Sequence, residues 1–420
     1  MVNARALLPL ALLTTSTLTA CAWLVRAPAP EERGPASRLW RRSAAAGDFA
    51  RFTREGTTLA GEGVLELEAS APTGTGPLPA GASDGGTLSL GTGYRVGTAV
   101  SDEQLLPEGF DSVIPSFDVT TPPGTWVRVT VAARVEGQWT KDYDFGVWAL
   151  ERDTVARQSV NGQEDAHGTV HTDTLALKKK ADALRMKVWL YSTRPEASPR
   201  VRALSAAVTN TRRKPEDGPS ERTAWGTKLE VPGYSQMLYP EGGPVWCSPT
   251  STTMMLGYWS QKLGRPELVE TVPAAAAHTY DTVYQGTGNW SFNTAYASAM
   301  GGGALHGLVA RFDSFAQVEQ LVAAGIPVTI SIAYDEGKLT GSPVRSSDGH
   351  LLVVKGFTPQ GDVICNDPAF RANEAVEVTY KREELWRAWR HSRGAAYVLW
   401  PSGTPLPAAL QGTLVSNPTP

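Results

Sequence analysis

Cys247 stands in GGPVWCSPTSTTMMLGYW, residues 242–259, between a Gly-Pro turn and a stretch with helical spacing. If the helix begins at Ser248 or Pro249, the sulfur sits at its amino end, and Pro249 suits a first turn in which its missing N–H is not needed. Unpaired N–H groups and the helix dipole at that end favour a thiolate and lower a thiol pKa from about 8.5. A free cysteine is ordinarily a small buried hydrophobe, but a packing role gains nothing from this position. A nucleophile also needs a base, a group that orients the base, and donors for an oxyanion. His350 opens the strand-like HLLVVKGF, and Asp367 closes DVICND. Gln236 precedes the cysteine across a Gly-Pro loop, where its side-chain amide can donate alongside the backbone N–H of Cys247.

Turn residues in Gly356-Phe357-Thr358-Pro359-Gln360-Gly361 predict a hairpin centred near Thr358 or Pro359. That register places His350 and Asp367 opposite one another on one face, about 5 Å apart. A slip of one residue would turn one of them away. Cys365 shares the face of Asp367 and reads as packing, with a Cys247–Cys365 disulfide as the alternative that would silence the nucleophile.

The order Gln236, Cys247 heading a helix, Gly349-His350 opening a strand, then Asn366-Asp367-Pro368 resembles the papain-like cysteine peptidases. Within them it is most similar to the bacteriocin-leader-processing branch, family thirty-nine, and its exported relatives. The resemblance spans residues 225–402 and implies an α+β papain-like peptidase domain acting on a peptide or protein, with no cofactor. It also implies Cys247 as nucleophile, His350 as general base and then acid, Asp367 as orienter and Gln236 as oxyanion donor. Asn366 is the alternative orienter and points to the opposite face if the strand is regular. Ser-Pro follows the cysteine where Gly-Pro is usual in that family. A preference for double-glycine leaders is not implied, since the leader-processing enzymes are fused to a transporter and none is legible in these residues.

These side chains must be positioned by two kinds of sequence. Residues 39–210 alternate at period two in GVLELEA, TWVRVTVAARV, DFGVWAL, ALRMKVWLYS and VRALSAAV, between Gly, Pro and Asp turns, which predicts an all-β sandwich. Polar TNTRRKPEDGPSER marks an interdomain linker, set at 211–224. Beyond it, CSPTSTTMMLGYWSQKL reads as a helix buried on one face. SFNTAYASAM and SFAQVEQLVAAG also read as helices, the latter closed by Gly325. PVTISIAY, HLLVVKGF, DVICND and AAYVLW read as strands, so helices come first and antiparallel strands later, an α+β arrangement ending in a tail at 403–420. QGTGNWSF, 285–292, and the glycines 301–303 are expected to border the substrate cleft.

A chain of 420 residues exceeds one ordinary core and predicts two domains. With 41% hydrophobic residues, 19% charged and a net charge of -3, it has no electrostatic bias toward nucleic acid. Lys178–Lys180 and Arg212–Lys214 read as a solvated turn and part of the linker. His167 and His171 lie in β-patterned sequence, about 13 Å apart, too far to share a metal ion. Trp126, Trp139, Tyr143, Trp148 and Trp189 have two readings, a groove for glycan contact and the sandwich core, and strand spacing favours the core.

The amino terminus reads as a targeting signal: Arg5, the apolar ALLPLALLTTSTLTA, then small residues. Leu18-Thr19-Ala20-Cys21 resembles the lipobox of bacterial lipoproteins, which implies a signal at 1–21, lipidation of Cys21 and a Pro-rich tether at 22–38. Plain secretory cleavage is the alternative. The resulting expectation is an exported, surface-located cysteine peptidase that meets the membrane only through a lipid. The other readings are a cell-wall peptide amidase or acyltransferase using the same residues, and an inert glycan- or protein-binding surface protein.

Overall fold

The computed structural model describes residues 34–74, 93–152 and 154–415. The signal segment with Cys21 and most of the tether lie outside the described residues.

The strand-rich first half is organised around one long strand, Thr174–Ser192. Leu184, Met186, Val188 and Leu190 alternate inward along it and are fully buried. Its first part pairs with Gln104–Thr120 and its second with Thr125–Val135 and Tyr94–Val100. Lys178–Lys180, expected as a turn, instead sit inside this strand, where the register shifts between Ala176 and Ala181. A bulge of this kind bends a strand and lets it change partners. Among the described residues thirteen strands therefore join in one hydrogen-bonded network, so the half expected as an all-β sandwich is strand-rich. Trp126, Tyr143 and Trp148 are buried in the interior. Trp139 and Trp189 are only partly covered, with Arg185 at 4.6 Å over the first ring and Lys187 at 3.7 Å over the second.

Among the described residues the second half has five helices of at least two turns: α1 Cys247–Leu263, α2 Val272–Thr279, α3 Trp290–Ala299, α4 Phe315–Ala323 and α5 Arg382–Arg390. They accompany a six-stranded antiparallel sheet in the order Leu305–Arg311, Ala395–Pro401, Val328–Tyr334, Ser347–Phe357, Val363–Asn366, Glu377–Tyr380. Helices and strands interleave instead of falling into two blocks, because the strand Leu305–Arg311 precedes α4 and α5 precedes the strand Ala395–Pro401. α1 is buried all round from Ser248 to Ser260, and not on one face alone. Thr252 and Thr253 make this tolerable by donating their hydroxyls to the carbonyls of Ser248 and Pro249.

The halves share one hydrophobic core. α3 packs on both Leu305–Arg311 and the first-half strand Gln104–Thr120. Ser291 donates to the Pro115 carbonyl at 2.6 Å, and the Val309 N–H to the Ser116 hydroxyl at 3.1 Å. Buried Asp118 holds Arg202 at 2.5 Å and His306 at 2.6 Å. The segment expected as a linker is pinned through Asp217, which accepts from the Ser314 hydroxyl and the Phe315 N–H at the start of α4 and pairs with Arg382. Residues 404–415 fold back onto the first strand, where Leu39 donates to the Thr413 carbonyl at 2.8 Å and Leu410 is buried. No helix among the described residues is long and apolar enough to cross a membrane.

Candidate active site

Cys247 is the first residue of α1, so its sulfur lies where the helix has unpaired N–H groups. The helix end is fixed against the sheet by two of its own hydroxyls. Ser248 bonds the buried Tyr397 hydroxyl at 2.9 Å, and Ser251 donates to the Leu351 carbonyl at 3.2 Å. The sulfur thus sits at the seam between α1 and the strand Ser347–Phe357, next to the backbone N–H groups of Ser248 and Leu351.

His350 reaches the same seam from that strand, 5% exposed. Its Nε2 bonds Asp367 Oδ1 at 2.8 Å, which leaves Nδ1 as the nitrogen available to the sulfur. The register that unites them differs from expectation. The hairpin turns over residues 358–362, so Phe357 lies opposite Val363 and Gly356 opposite Ile364. An irregularity at Lys355 then sets Val354 opposite Cys365 and Val353 opposite Asn366. His350 is therefore a diagonal neighbour of Asp367, and not its direct partner. Without the extra residue at Lys355 the two side chains would face opposite sides of the sheet.

Asp367 is fully buried, and both of its oxygens are bonded. Oδ1 also accepts the Ala369 N–H at 2.9 Å, and Oδ2 accepts the Tyr380 hydroxyl at 2.7 Å. Tyr380 was not singled out from the sequence; the alternation in EVTY, 377–380, carries the signal, since it extends the sheet beside DVICND. Asn366, the alternative orienter, points away and donates to the carbonyls of Val231 and Pro232, each at 3.1 Å.

Gln236 is buried beside the cysteine loop. Its N–H donates to the Pro368 carbonyl at 2.9 Å, which ties it to the residue after Asp367. Nε2 donates one hydrogen to the Gly243 carbonyl at 2.7 Å, leaving the second amide hydrogen. A Cβ at Gly243 would lie 2.3 Å from the Gln236 carbonyl oxygen, so only glycine permits this approach.

The electrostatics run toward an ion pair. Burial alone would raise the Cys247 thiol, but the hydrogen bond and charge of His350, with the Leu351 and Ser248 N–H groups, bring it below the ordinary thiol range. Burial alone would lower His350, but Asp367 and Cys247 outweigh it and raise the imidazole to about 10. Asp367 follows the same logic: burial opposes its charge, and His350, Tyr380 and the Ala369 N–H hold it below the usual carboxylate range. Cys365 is buried among apolar neighbours that push its thiol well above the ordinary value. Both Cys247 and Cys365 are free, so the alternative disulfide is not formed.

The constellation opens into a cleft of about 830 Å³. Tyr284, Gly286, Gly288 and Trp290 form one wall, within the region 285–292 expected at its border and one residue before it. Glycines 301–303 do not line the cleft; Gly303 packs under Arg202 instead. Met237, Val245, Tyr284 and Val344, apolar residues at least 36% exposed, stand around the opening. Among the described residues no cluster of three or more His, Cys, Asp or Glu could hold a metal ion.

Residues 39–209 match the family described as Peptidase C39 N-terminal domain, and residues 228–397 match the Peptidase_C39 like family. No curated protein matches the chain. The second match begins before Gln236 and ends after the Ala395–Pro401 strand is entered, so it contains Cys247, His350 and Asp367. Over its two halves in turn, the chain matches a C39-like cysteine peptidase with an N-terminal domain of its own.

Proposed function

We propose that this chain hydrolyses peptide bonds by papain-like chemistry, and the observation that carries the reading is the continuous path from Cys247 through His350 to Asp367 and Tyr380. The Cys247 thiolate adds to a peptide carbonyl, and the oxyanion is met by the Cys247 backbone N–H and the free amide hydrogen of Gln236. His350, protonated in the ion pair, delivers its Nδ1 proton to the leaving amine, leaving a thioester on Cys247. Water then attacks the thioester carbonyl, giving its proton back to His350, and the acid product leaves with the thiolate restored. The apolar rim of Met237, Val245, Tyr284 and Val344 suits apolar side chains near the scissile bond. Digestion of a peptide library by wild type and by Cys247→Ala is the test. Cleavage by wild type alone, with the variant folded, is expected; equal cleavage by both would sink the reading. Product analysis on protein and on peptidoglycan fragments separates a peptidase from a cell-wall amidase or acyltransferase.

The targeting sequence supports export with a lipid on Cys21. Detergent-phase partitioning of cells expressing wild type and Cys21→Ser tests it. Wild type in the detergent phase and the variant in the aqueous phase is the expected result, and wild type in the aqueous phase would leave plain secretion.

A further inference from the structure

The wall of the cleft formed by Tyr284, Gly286, Gly288 and Trp290 belongs to the second half, yet much of what holds it comes from the first. At its start, Thr282 donates both its N–H, at 3.0 Å, and its hydroxyl, at 3.1 Å, to the carbonyl of Arg157. The Arg157 guanidinium is completely buried. It donates to Ala149 and Leu150 within its own half, and to Ala277 at 3.2 Å and Tyr280 at 3.3 Å across the boundary. The Ala277 and Tyr280 carbonyls lie at the carboxyl end of α2, where a cation is favoured.

Asp281 continues the connection. Its Oδ1 accepts the N–H of Ser159 from the first half and the N–H groups of Val283 and Tyr284 from the loop, all at 3.0 Å. Its Oδ2 accepts from Asn289 at 3.0 Å, so one buried carboxylate ties both ends of the loop to the first half. At the far end Asp173 projects from the turn between the strands Gly168–His171 and Thr174–Ser192. Its Oδ2 accepts the Trp290 N–H at 2.5 Å, at the amino end of α3, while Oδ1 is held by the Thr174 hydroxyl at 3.0 Å. Asp173 is 7% exposed and makes no contact with the cleft itself.

We propose that the 39–209 domain braces the substrate-binding wall of the cleft, with Asp173 as a positioning residue that fixes Trp290 and the loop 281–289 for peptide binding. The proposal rests on reading the cleft as a peptide site. Its physical content is pre-organisation: a wall fixed before substrate arrives spares the ordering cost that a free loop would add to binding. Such a role acts on KM more than on kcat, because the wall meets the substrate's side chains while Cys247 and His350 are fixed by α1 and the sheet.

The test compares wild type, Asp173→Ala and Asp173→Asn in the full chain, by peptide hydrolysis and by amide hydrogen exchange over 281–290. Asp173→Ala is expected to raise KM about tenfold, the scale of one lost hydrogen bond to a charged group, with kcat within about twofold. Faster exchange at Val283, Tyr284 and Trp290 is expected, with exchange in the strand Ser347–Phe357 unchanged. Asp173→Asn keeps an acceptor for the Trp290 N–H and should recover most of the KM. Wild-type exchange in Asp173→Ala, or an Asn variant no better than Ala, would overturn the proposal. If the wild type cleaves no peptide, the peptidase reading fails while exchange still decides whether the wall is braced. Should Asp173→Ala lose its fold, Asp173→Glu serves, with the same exchange readout and the same outcome against the proposal.

Discussion

At the scale of single residues, the chemistry depends on which groups surround one sulfur. His350 is the largest influence that favours the Cys247 thiolate, and burial opposes it. Removing the imidazole in His350→Ala therefore leaves burial dominant, and the thiol pKa should rise past the ordinary value. Iodoacetamide labelling of Cys247 at pH 7 is expected to be faster than a model thiol in wild type and at least tenfold slower in the variant, since only the thiolate reacts. In wild type the reactive pair exists from the depressed thiol pKa up to the raised histidine pKa, near 10. The kcat/KM profile should fall on the acid side as Cys247 is protonated and on the alkaline side only as His350 loses its proton, well above the usual imidazole range. A profile falling on the alkaline side near pH 6.5 would contradict the ion pair. Tyr380 and Ala369 bond Asp367 on both of its oxygens, so the carboxylate has little freedom to turn away from His350.

At the scale of elements, the site is a junction of a helix end, a bulged hairpin and a glycine-dependent loop. Gly243 lets the Gln236 carbonyl come so close that a methyl group would sit 2.3 Å from it. Gly243→Ala should therefore push the Gln236 loop off the cysteine loop. The expected outcome is a loss of kcat of tenfold or more, the order seen when an oxyanion donor is misplaced. The melting temperature should shift by only a few degrees, as measured by calorimetry. The hairpin and α1 were legible: the quoted helix CSPTSTTMMLGYWSQKL coincides with α1, and the strands HLLVVKGF and DVICND are both formed. The bulge at Lys355 was not, because the alternation on either side of it reads as regular. The expected turn centre and the expected regular register were both off, and the two errors cancelled on the question of face. α5 has a strongly two-sided pattern in REELWRAWR and α2 a run of alanines, so both carry a local helix signal.

At the scale of the whole molecule, the two halves behave as one body in their packing. They share a core, and charged groups of one half bond the other across the boundary: Asp118 with His306, Arg202 with the Ser298 carbonyl, Arg311 with Ser112, Arg157 with the Ala277 carbonyl. Independent domains joined by a linker would unfold in two steps, but halves that bury each other's polar groups lose those partners together. Calorimetry on the full chain is expected to give one transition whose van't Hoff and calorimetric enthalpies agree. Two resolved transitions would show the shared core to be energetically minor. Polar residues and prolines over 211–224 are the composition of a spacer. What composition could not report is that Asp217 within it finds Arg382 and the start of α4.

The sequence by itself determined the cast: a cysteine at a helix start, a histidine on a strand and an aspartate at the end of its neighbour, a glutamine upstream, and β-patterned sequence before them. Those follow from local periodicity, turn residues and intrinsic reactivity, which short stretches encode. Only the tertiary structure decided that a bulge aligns His350 with Asp367, that Tyr380 completes the carboxylate, and that Arg157, Ser159 and Asp173 from the first half hold the cleft wall. These depend on register and on contacts between residues up to 125 positions apart, as between Thr282 and Arg157. Such contacts are set by how faces pack against one another, and no local pattern specifies them.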